Sequence, residues 1–258
     1  PMNKIDLLVP TRERLNLQLT LISSIITTAK NINNINLYFG VDQDDKYRDI
    51  TIKMSKAISF VHVIDIDNQG KFIGLGKIWN QLAKHSDQNI LGYIGDDMIF
   101  KTPNWDEAIL KEFDPENCPK DNIKLVHCND GHRNGIMTVN AFVHRKYYET
   151  LGYFVKEDFL INWSDHYMMQ LFQAFDRITY KPDILIEHNH WVFFKRPIDD
   201  TGKRMQISDK TPDGKSISDA LWDKLGPDRD KDALKLAKVI GIEPDWSKID
   251  NKFRDKRV

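Results

Sequence analysis

Two adjacent aspartates interrupt an apolar run in the stretch ILGYIGDDMIF, residues 90–100. Neighbouring carboxylates repel each other, and burying them is costly unless a cation or hydrogen bonds compensate. Asp96 and Asp97 therefore indicate one of two arrangements. Either they lie in a solvated turn, where Asp is common for its local hydrogen bonds, or they hold a divalent cation that grips a diphosphate.

Two histidines near the end of DILIEHNHWVFF, residues 183–194, could complete such a metal site. Residues two apart in a strand share a face, so His188 and His190 can point the same way. A histidine without a metal is the more common case. The sequence predicts that one of the pair joins Asp97, and it does not choose between them.

Asp165, near the start of the amphipathic segment WSDHYMMQLFQAF, could be a general base that deprotonates an acceptor hydroxyl. It could equally be an acidic residue that the helix dipole favours at this end, with Ser164 as the cap. His132 could bind an acceptor or lie in a solvated loop. A zinc site built on His127, Cys128 and His132 is rejected because no fourth ligand has suitable spacing.

A polar segment with Pro and Gly, residues 195–219, predicts a long loop. Cations flank it, and they could be solvated or could belong to a lid that brings positive charge onto a leaving diphosphate. These cations are Lys195, Arg196, Lys203 and Arg204.

The elements that must position these residues alternate between strand and helix. Strands are predicted over residues 4–10, 35–45, 60–67 and 90–100, with helices over 11–30 and 74–86, the first capped by Thr11. This alternation predicts a mostly parallel α/β sheet, whose ligands bind at the carboxyl ends of the strands. Residues 9–12, Asp42 and the aspartate pair should meet at that edge.

The second half is less regular. It predicts strands over 123–131 and 183–194, a strand followed by a short helix over 136–154, and a helix over 163–175. ALWDKL and DKDALKLAKVIGI predict two further short helices, and the charged end DNKFRDKRV is expected to fray.

Composition excludes several classes of protein. The 258 residues, 41% of them hydrophobic, suit one α/β domain, or one domain with an appendage. A net charge of −1 excludes a polycation for nucleic acid but permits a local basic patch. Cys118 and Cys128 give neither a disulfide framework nor a metal-type spacing. No signal pattern and no run long enough for a bilayer is present. We expect a soluble, cytoplasmic protein.

The order of these motifs resembles the GT-A glycosyltransferases, close to the large family that contains cellulose and chitin synthases. LLVPTRERLNLQLTLISSI resembles the opening strand, turn and helix of that family, and FGVDQDD the strand whose last Asp reads the nucleotide base. GLGKIWNQL resembles the segment beside the donor, and ILGYIGDDMIF the strand that ends in Asp-x-Asp. FVHRKYYETLGYF and then WSDHYMMQLF resemble the approach to the catalytic acid. The resemblance covers residues 4–194.

The resemblance implies a GT-A (Rossmann-like) α/β domain over residues 3–195, followed by a C-terminal lid loop and short helical extension over 196–258. It implies a catalytic base at Asp165 and a Mn²⁺ or Mg²⁺ ion on Asp97 with His188 or His190. The residues it places at the donor are Pro10, Thr11, Arg12, Asp42, Lys77, Asn80 and Asp96. The acceptor or lid residues would be His132, Lys195 and Arg196.

The chain departs from the family pattern in places. Asp-x-Asp reads Gly95-Asp96-Asp97, and the usual Glu-Asp of the base motif reads Ser164-Asp165. The Gln-x-x-Arg-Trp motif and the membrane helices of processive synthases are absent from this sequence. Small soluble glycosyltransferases of this kind occur in tailed phages, some acting on modified DNA bases. A phage-encoded enzyme of the host cytoplasm is therefore an expectation by analogy.

The sequence thus predicts a metal-dependent hexosyltransferase. It would move a sugar from a nucleotide-sugar, with UDP the expected nucleotide, to a hydroxyl of a glycan or a modified DNA base. One alternative is a nucleotidyltransferase of GT-A-like fold, disfavoured because its glycine-rich loop with Lys or Arg after the first strand is absent. The other is a non-catalytic module that binds a nucleotide-sugar or glycan.

Overall fold

The computed structural model describes residues 4–249, and within this range eight strands form one mixed sheet. The strands are β1 (Ile5–Thr11), β2 (Ile35–Asp42), β3 (Val61–Ile66), β4 (Ile90–Tyr93), β5 (Met98–Phe100), β6 (Leu125–Asn129), β7 (Ala141–His144) and β8 (Ile178–His188). Their order across the sheet is β3-β2-β1-β4-β7-β6-β8-β5. Within the described chain, β5 and β7 run against the other strands. The predicted α/β class with a mostly parallel sheet is confirmed.

Helices cover both faces of the sheet. They are α1 (Leu15–Thr28), α2 (Arg48–Ala57), α3 (Leu75–His85), α4 (Trp105–Lys111), α5 (Arg145–Leu151), α6 (Ser164–Gln173), α7 (Asp200–Ser208), α8 (Ile217–Lys224) and α9 (Gly226–Ile240). Every residue of β1 is buried, as expected for a central strand between two layers. Leu8 packs on the side of α3 and α6, whereas Leu7 and Val9 pack on the side of α1 and α4. Within residues 4–249, no helix is long and apolar enough to cross a membrane.

The apolar run 90–100 is not one strand, as the sequence predicted, but two. β4 ends at Tyr93, and the chain turns through the aspartate pair before β5 begins at Met98. β5 then pairs antiparallel with β8, so that Met98 lies opposite His188. Gly95 and the two acids break the strand because glycine and aspartate both disfavour a buried strand, aspartate through its polar side chain. The reversal brings the aspartates to the end of β8.

Two predicted caps are wrong. Thr11 is the last residue of β1, and α1 is preceded instead by Arg14 as N-cap, without a side-chain cap bond. Ser164 is the first residue of α6, and the N-cap is Trp163 in the left-handed region at φ 81°. The Thr11 hydroxyl instead donates to Asp96 Oδ2 at 2.9 Å, and Ser164 is buried.

The long loop predicted over residues 195–219 is also wrong, because it contains α7 and the start of α8. Asp199 caps α7 by accepting the Gly202 N–H at 2.7 Å. The Thr201 hydroxyl of this helix donates to the Arg12 main-chain oxygen at 2.7 Å. Contacts with the sheet edge therefore stabilise a helix that has little periodicity of its own. The two short helices predicted after it are confirmed as α8 and α9. The expected fraying of residues 250–258 lies outside the described residues.

Candidate active site

A cleft of about 760 Å³ opens at the carboxyl ends of the central strands. Its walls include the end of β1 (residues 10–12), Asp42 at the end of β2, and the turn 95–97 after β4. α7 contributes Thr201, Arg204 and neighbouring residues to the same cavity. The expectation that these strand ends meet at one edge of the sheet is therefore confirmed.

Asp97, His188 and His190 form a cluster within this cleft. One possible ligand atom from each residue lies within 4.8 Å of the others. His188 Nε2 lies 3.4 Å from Asp97 Oδ1. His190 is not in the strand but follows it, and its Nδ1 accepts the Val192 N–H at 3.3 Å, which leaves Nε2 for a ligand. The structure brings both histidines to Asp97, whereas the sequence had left the choice between them open.

The cluster fits a divalent ion. A carboxylate and two imidazoles are suitable donors, and a diphosphate or water can complete the coordination. The His188 nitrogen that faces Asp97 is Nε2, whereas its buried Nδ1 has no hydrogen-bond partner among the described residues. Burial lowers the pKa of His190 to about 4, so its ring is neutral and able to coordinate near pH 7. Burial alone would raise the pKa of Asp97, but the hydrogen bond and charge of His188 outweigh it and the pKa is lowered.

Gly95 stands where the Asp-x-Asp motif has its first acid. A Cβ at this position would lie 2.9 Å from Asp97 Oδ1, closer than real Cβ contacts. The missing side chain therefore leaves the room that the Asp97 carboxylate occupies. An added side chain at residue 95 would therefore require the Asp97 carboxylate to shift.

Asp96 is held on both oxygens. Thr11 Oγ1 donates to Oδ2 at 2.9 Å, and Arg14 Nη1 donates to Oδ1 at 2.8 Å. Burial raises the pKa of Asp96, and the charge of Arg14 opposes that rise. Asp96 lines the cleft, and its contact with the donor stays a prediction.

Asp42, the residue expected to meet the nucleotide base, is paired with cations from two elements. Arg12 Nη1 donates to its Oδ2 at 2.8 Å, and Arg204 of α7 lies 3.5 Å from the same oxygen. Burial raises the pKa of Asp42, although both arginines oppose the shift. A helix from the C-terminal segment thus reaches the far end of the cleft.

Asp165 lies in the first turn of α6 and faces the same cleft. Its Oδ1 accepts the His166 N–H at 2.8 Å, and its main-chain oxygen accepts the Thr138 hydroxyl at 3.1 Å. Burial raises the pKa of this carboxyl, which makes it a stronger base than a solvated one. The preceding Trp163 is anchored by an indole N–H bond of 2.7 Å to Asp219 Oδ1.

The structure does not bring Lys77 and Asn80 to this cleft. Residues 75, 78 and 79 of α3 line it, and helical geometry turns Lys77 and Asn80 to another face, where they border a separate depression. Asn80 Oδ1 accepts the N–H groups of Phe154 and Val155 at 2.8 and 3.0 Å. This arrangement ties α3 to the chain after α5 and corrects the expectation that these residues lie beside the donor.

The other predicted residues lie behind or beside the metal cluster. His132 stacks on Phe193 at 3.9 Å between ring centroids, and its Nε2 lies 3.1 Å from the His188 main-chain oxygen. Lys195 pairs with Glu187 at 3.4 Å. Arg196 lies 3.4 Å from Asp97 Oδ2. Of these three, Arg196 therefore comes nearest to the acid pair.

Sequence reasoning missed Arg14 and Asp199. Arg14 donates to Asp96 and, through Nε and Nη2, to both oxygens of Asp199 at 2.8 and 3.0 Å. The second arginine of the PTRER turn was a visible signal, because a cation just after a strand end faces the ligand edge. Asp199 carried the pattern of a loop residue and gave no such signal.

No protein-family model matches this sequence, and no curated protein matches it. Solved structures do resemble the fold. The mannosyltransferase PcManGT from Pyrobaculum calidifontis, in complex with GDP-Man and Mn²⁺, has a TM-score of 0.60 and 13% identity over 93% of this chain and 75% of its own.

Two further structures are similar over less of their length. S. aureus TarS 1-349 in complex with UDP-GlcNAc has a TM-score of 0.54 and 12% identity over 71% of this chain and 58% of its own. GalNAc-T7 with UDP, GalNAc and Mn²⁺ has a TM-score of 0.57 and 9% identity over 72% of this chain and 44% of its own. This chain thus spans less than two thirds of either protein. At such identities the likeness concerns the fold, and the chain has the GT-A fold of these glycosyltransferases.

Proposed function

We propose that this protein is a metal-dependent glycosyltransferase that moves a hexose from a nucleotide-sugar, UDP-linked, to a hydroxyl of a glycan or modified nucleic acid base. One observation carries the proposal: the cluster of Asp97, His188 and His190 shares a single cleft with Asp42 and Asp165. The nucleotide-sugar or nucleotide and Mn²⁺ in the similar mannosyltransferase and GalNAc-T7 structures support the same substrates here. A cytoplasmic location, a phage origin and kinship with cellulose and chitin synthases stay predictions.

The chemistry divides among the residues of the cleft. When bound, Mn²⁺ or Mg²⁺ on Asp97, His188 and His190 would neutralise charge on the diphosphate. Asp42 hydrogen-bonds the base, while the end of β1 forms the wall of its pocket. The bond from the anomeric carbon to the diphosphate oxygen breaks, a bond from that carbon to the acceptor oxygen forms, and nucleoside diphosphate leaves.

Asp165 takes the proton of the acceptor hydroxyl onto a carboxylate oxygen. Its raised pKa brings the carboxyl closer to the pH at which it works, which favours proton transfer. Arg196 brings positive charge to the acid pair from the segment that covers the cleft, and Lys195 belongs to the same segment. Both cations are proposed to meet the leaving diphosphate as it accumulates charge.

Thermal unfolding with a panel of nucleotides and nucleotide-sugars tests the proposal, each compound with Mn²⁺ and with EDTA. A ligand at 100 times its Kd should stabilise the protein by about 2.7 kcal/mol. We expect the nucleotide or nucleotide-sugar to stabilise the protein when Mn²⁺ is present and not when EDTA is present. Asp97→Asn should lose this stabilisation. Asp49→Asn, whose carboxylate is 84% exposed, should retain it. Wild-type turnover by Asp97→Asn would remove Asp97 from the site.

Product analysis separates the alternatives. Release of nucleoside diphosphate supports transfer of a sugar, whereas pyrophosphate indicates a nucleotidyltransferase, and binding without turnover at any metal concentration indicates a non-catalytic module. For the acceptor, DNA binding should weaken steeply with salt through counterion release. A flat salt response would count against a DNA acceptor and leave the glycan.

A further inference from the structure

An alternating series of charges connects the acid pair with α7. Arg14 donates to Asp96 at 2.8 Å and to Asp199 at 2.8 and 3.0 Å. Arg196 donates to Asp199 at 2.9 Å and lies 3.4 Å from Asp97 Oδ2. Because Asp96 and Asp97 are adjacent in the chain, these five residues close a circuit, which we call the charge ring.

Most of the charge ring is removed from solvent. The side chains of both arginines are 11% exposed, and those of Asp96 and Asp97 are 4% and 7% exposed. Buried charges are tolerated when each has a partner, and losing one partner leaves another charge uncompensated. Asp199 contacts both arginines, so its carboxylate balances both guanidinium groups.

Asp199 also fixes the start of α7. Its Oδ1 accepts the Gly202 N–H at 2.7 Å while Oδ2 accepts from Arg14 and Arg196. Burial alone would raise the pKa of Asp199, but the hydrogen bond and charge of Arg14 outweigh it and the pKa is lowered. The carboxylate is therefore ionised at neutral pH, where it both begins a helix and pairs with two cations.

The two oxygens of Asp97 face different partners. Oδ1 lies 3.4 Å from His188, on the side of the metal cluster, and Oδ2 lies 3.4 Å from Arg196. Arg196 thus contacts the oxygen of Asp97 that does not face His188. Arg196 is held by Asp199 at 2.9 Å and by the Asn189 main-chain oxygen, which accepts from its Nε at 3.1 Å. Without the charge of Asp199, Arg14 would keep only Asp96 and Arg196 only Asp97 as an acidic partner, and the net negative charge beside the cation site would be lost.

We propose that Asp199 is a positioning residue that couples the docking of α7 to the geometry of the metal-binding carboxylate of Asp97. The coupling rests on the proposed function in one respect, namely that a divalent ion binds Asp97, His188 and His190. The coupling makes α7 and the metal site one cooperative unit. Docking of α7 favours the arrangement of the acid pair that binds metal, and metal binding favours the docking of α7.

The test is Asp199→Asn in the full chain. Asparagine is an equally good N-cap, so the Gly202 N–H keeps its acceptor while the negative charge is lost. Asp200→Asn is the matched control, because this neighbouring carboxylate is 88% exposed and pairs with the exposed Lys203. Mn²⁺ affinity is measured by electron paramagnetic resonance with MnCl₂ alone, and the docking of α7 by amide hydrogen exchange.

We expect the Mn²⁺ Kd of Asp199→Asn to rise roughly 10-fold or more, as for other residues that orient a metal ligand. The amides of α7 should also exchange faster, and Asp200→Asn should change neither quantity. Faster exchange with an unchanged Kd would mean that the charge of Asp199 only docks α7, which would overturn the coupling. An unchanged Kd together with unchanged exchange would overturn it as well.

Two further outcomes have separate meanings, one for the proposed function and one for the folding of the variant. If the wild-type protein binds no Mn²⁺, the proposed function fails together with the coupling. If Asp199→Asn does not fold, Arg196→Lys tests the same link, because a lysine keeps the charge but lacks the fork that reaches Asp97 and Asp199 together. A wild-type Kd and unchanged α7 exchange in Arg196→Lys would overturn the proposal.

Discussion

Replacing Gly95 by alanine probes the metal cluster through a single added carbon. The new Cβ would lie 2.9 Å from Asp97 Oδ1, so the carboxylate has to rotate or shift. Asp97 is not free to do so without loss, because Oδ1 faces His188, Oδ2 faces Arg196, and the main-chain oxygen accepts the Asn189 N–H at 2.9 Å. The strain therefore falls on the orientation of the carboxylate proposed to bind metal.

The size of the effect follows from the cost of that rotation. Forcing a side chain off its rotamer by about 30° costs about 0.5–1.5 kcal/mol, which corresponds to about a 2- to 13-fold rise in the Mn²⁺ Kd. Folding stability should change little, since Gly95 has no left-handed φ that alanine would strain. A stiffer unfolded chain contributes a gain of about 0.4–1 kcal/mol that offsets the contact.

Electron paramagnetic resonance of free Mn²⁺ measures the Kd, and thermal unfolding checks the fold. Gly226→Ala is the matched control, because a Cβ there meets its nearest neighbour at 3.6 Å, an ordinary contact. Gly95→Asp, which writes the full Asp-x-Asp motif, should weaken Mn²⁺ binding as well, since it carries the same Cβ. An unchanged Kd in Gly95→Ala, or a tighter one in Gly95→Asp, would refute the assignment of Asp97 Oδ1 as a ligand in this arrangement.

Three other variants test separate parts of the structure. Asn80→Ala should lower the free energy of unfolding by about 1–3 kcal/mol, because it leaves backbone groups of Phe154 and Val155 without partners. Its Mn²⁺ affinity should be unchanged. Weaker Mn²⁺ binding in a variant with wild-type stability towards urea would contradict this expectation. Burial lowers the pKa of His127 to about 4 from 6.5, so the unfolded chain takes a proton below pH 6.5 that the folded state resists. The contribution of His127 to stability is therefore full above pH 6.5 and is lost as the pH falls towards 4, by about 2 kcal/mol between pH 7 and pH 5. Because the lowered pKa of His190, also about 4, acts in both proteins, urea unfolding should show a loss about 2 kcal/mol smaller in His127→Phe than in the wild type, and equal losses would exclude the mechanism. Asp165→Asn should reduce kcat by about 10²- to 10⁴-fold with nucleotide binding intact, and near-normal turnover would exclude Asp165 as the base.

The sheet was predictable because its signals are local. Apolar runs of strand length that alternate with helical periodicity indicate β1 to β4 and α1 and α3 whatever the rest of the chain does. The edge where the strand ends meet follows from the parallel arrangement alone. The sequence alone therefore predicts that Asp42 and the aspartate pair lie together.

The remaining features depend on partners that are distant in sequence. The split of the run 90–100 is decided by β8, and α7 is held by Arg12, Arg14 and the sheet edge rather than by its own pattern. Lys77 and Asn80 were misplaced because a helix turns by about 100° per residue, so a motif matched in register can still face away from the ligand. A match to a motif therefore does not establish which face of the helix meets the ligand.

The antiparallel pairing of β5 with β8 also has a consequence for how the protein folds. It joins segments far apart in the chain, and the contact between Arg196 and Asp97 spans 99 residues. Closing so long a loop costs entropy before any contact rewards it, so such pairings form late. The residues proposed to bind metal lie on the two sides of this pairing, Asp97 just before β5 and His188 and His190 at or just after the end of β8. Binding of Mn²⁺ is therefore expected to require that β8 has docked, and so to follow this step of folding rather than begin it.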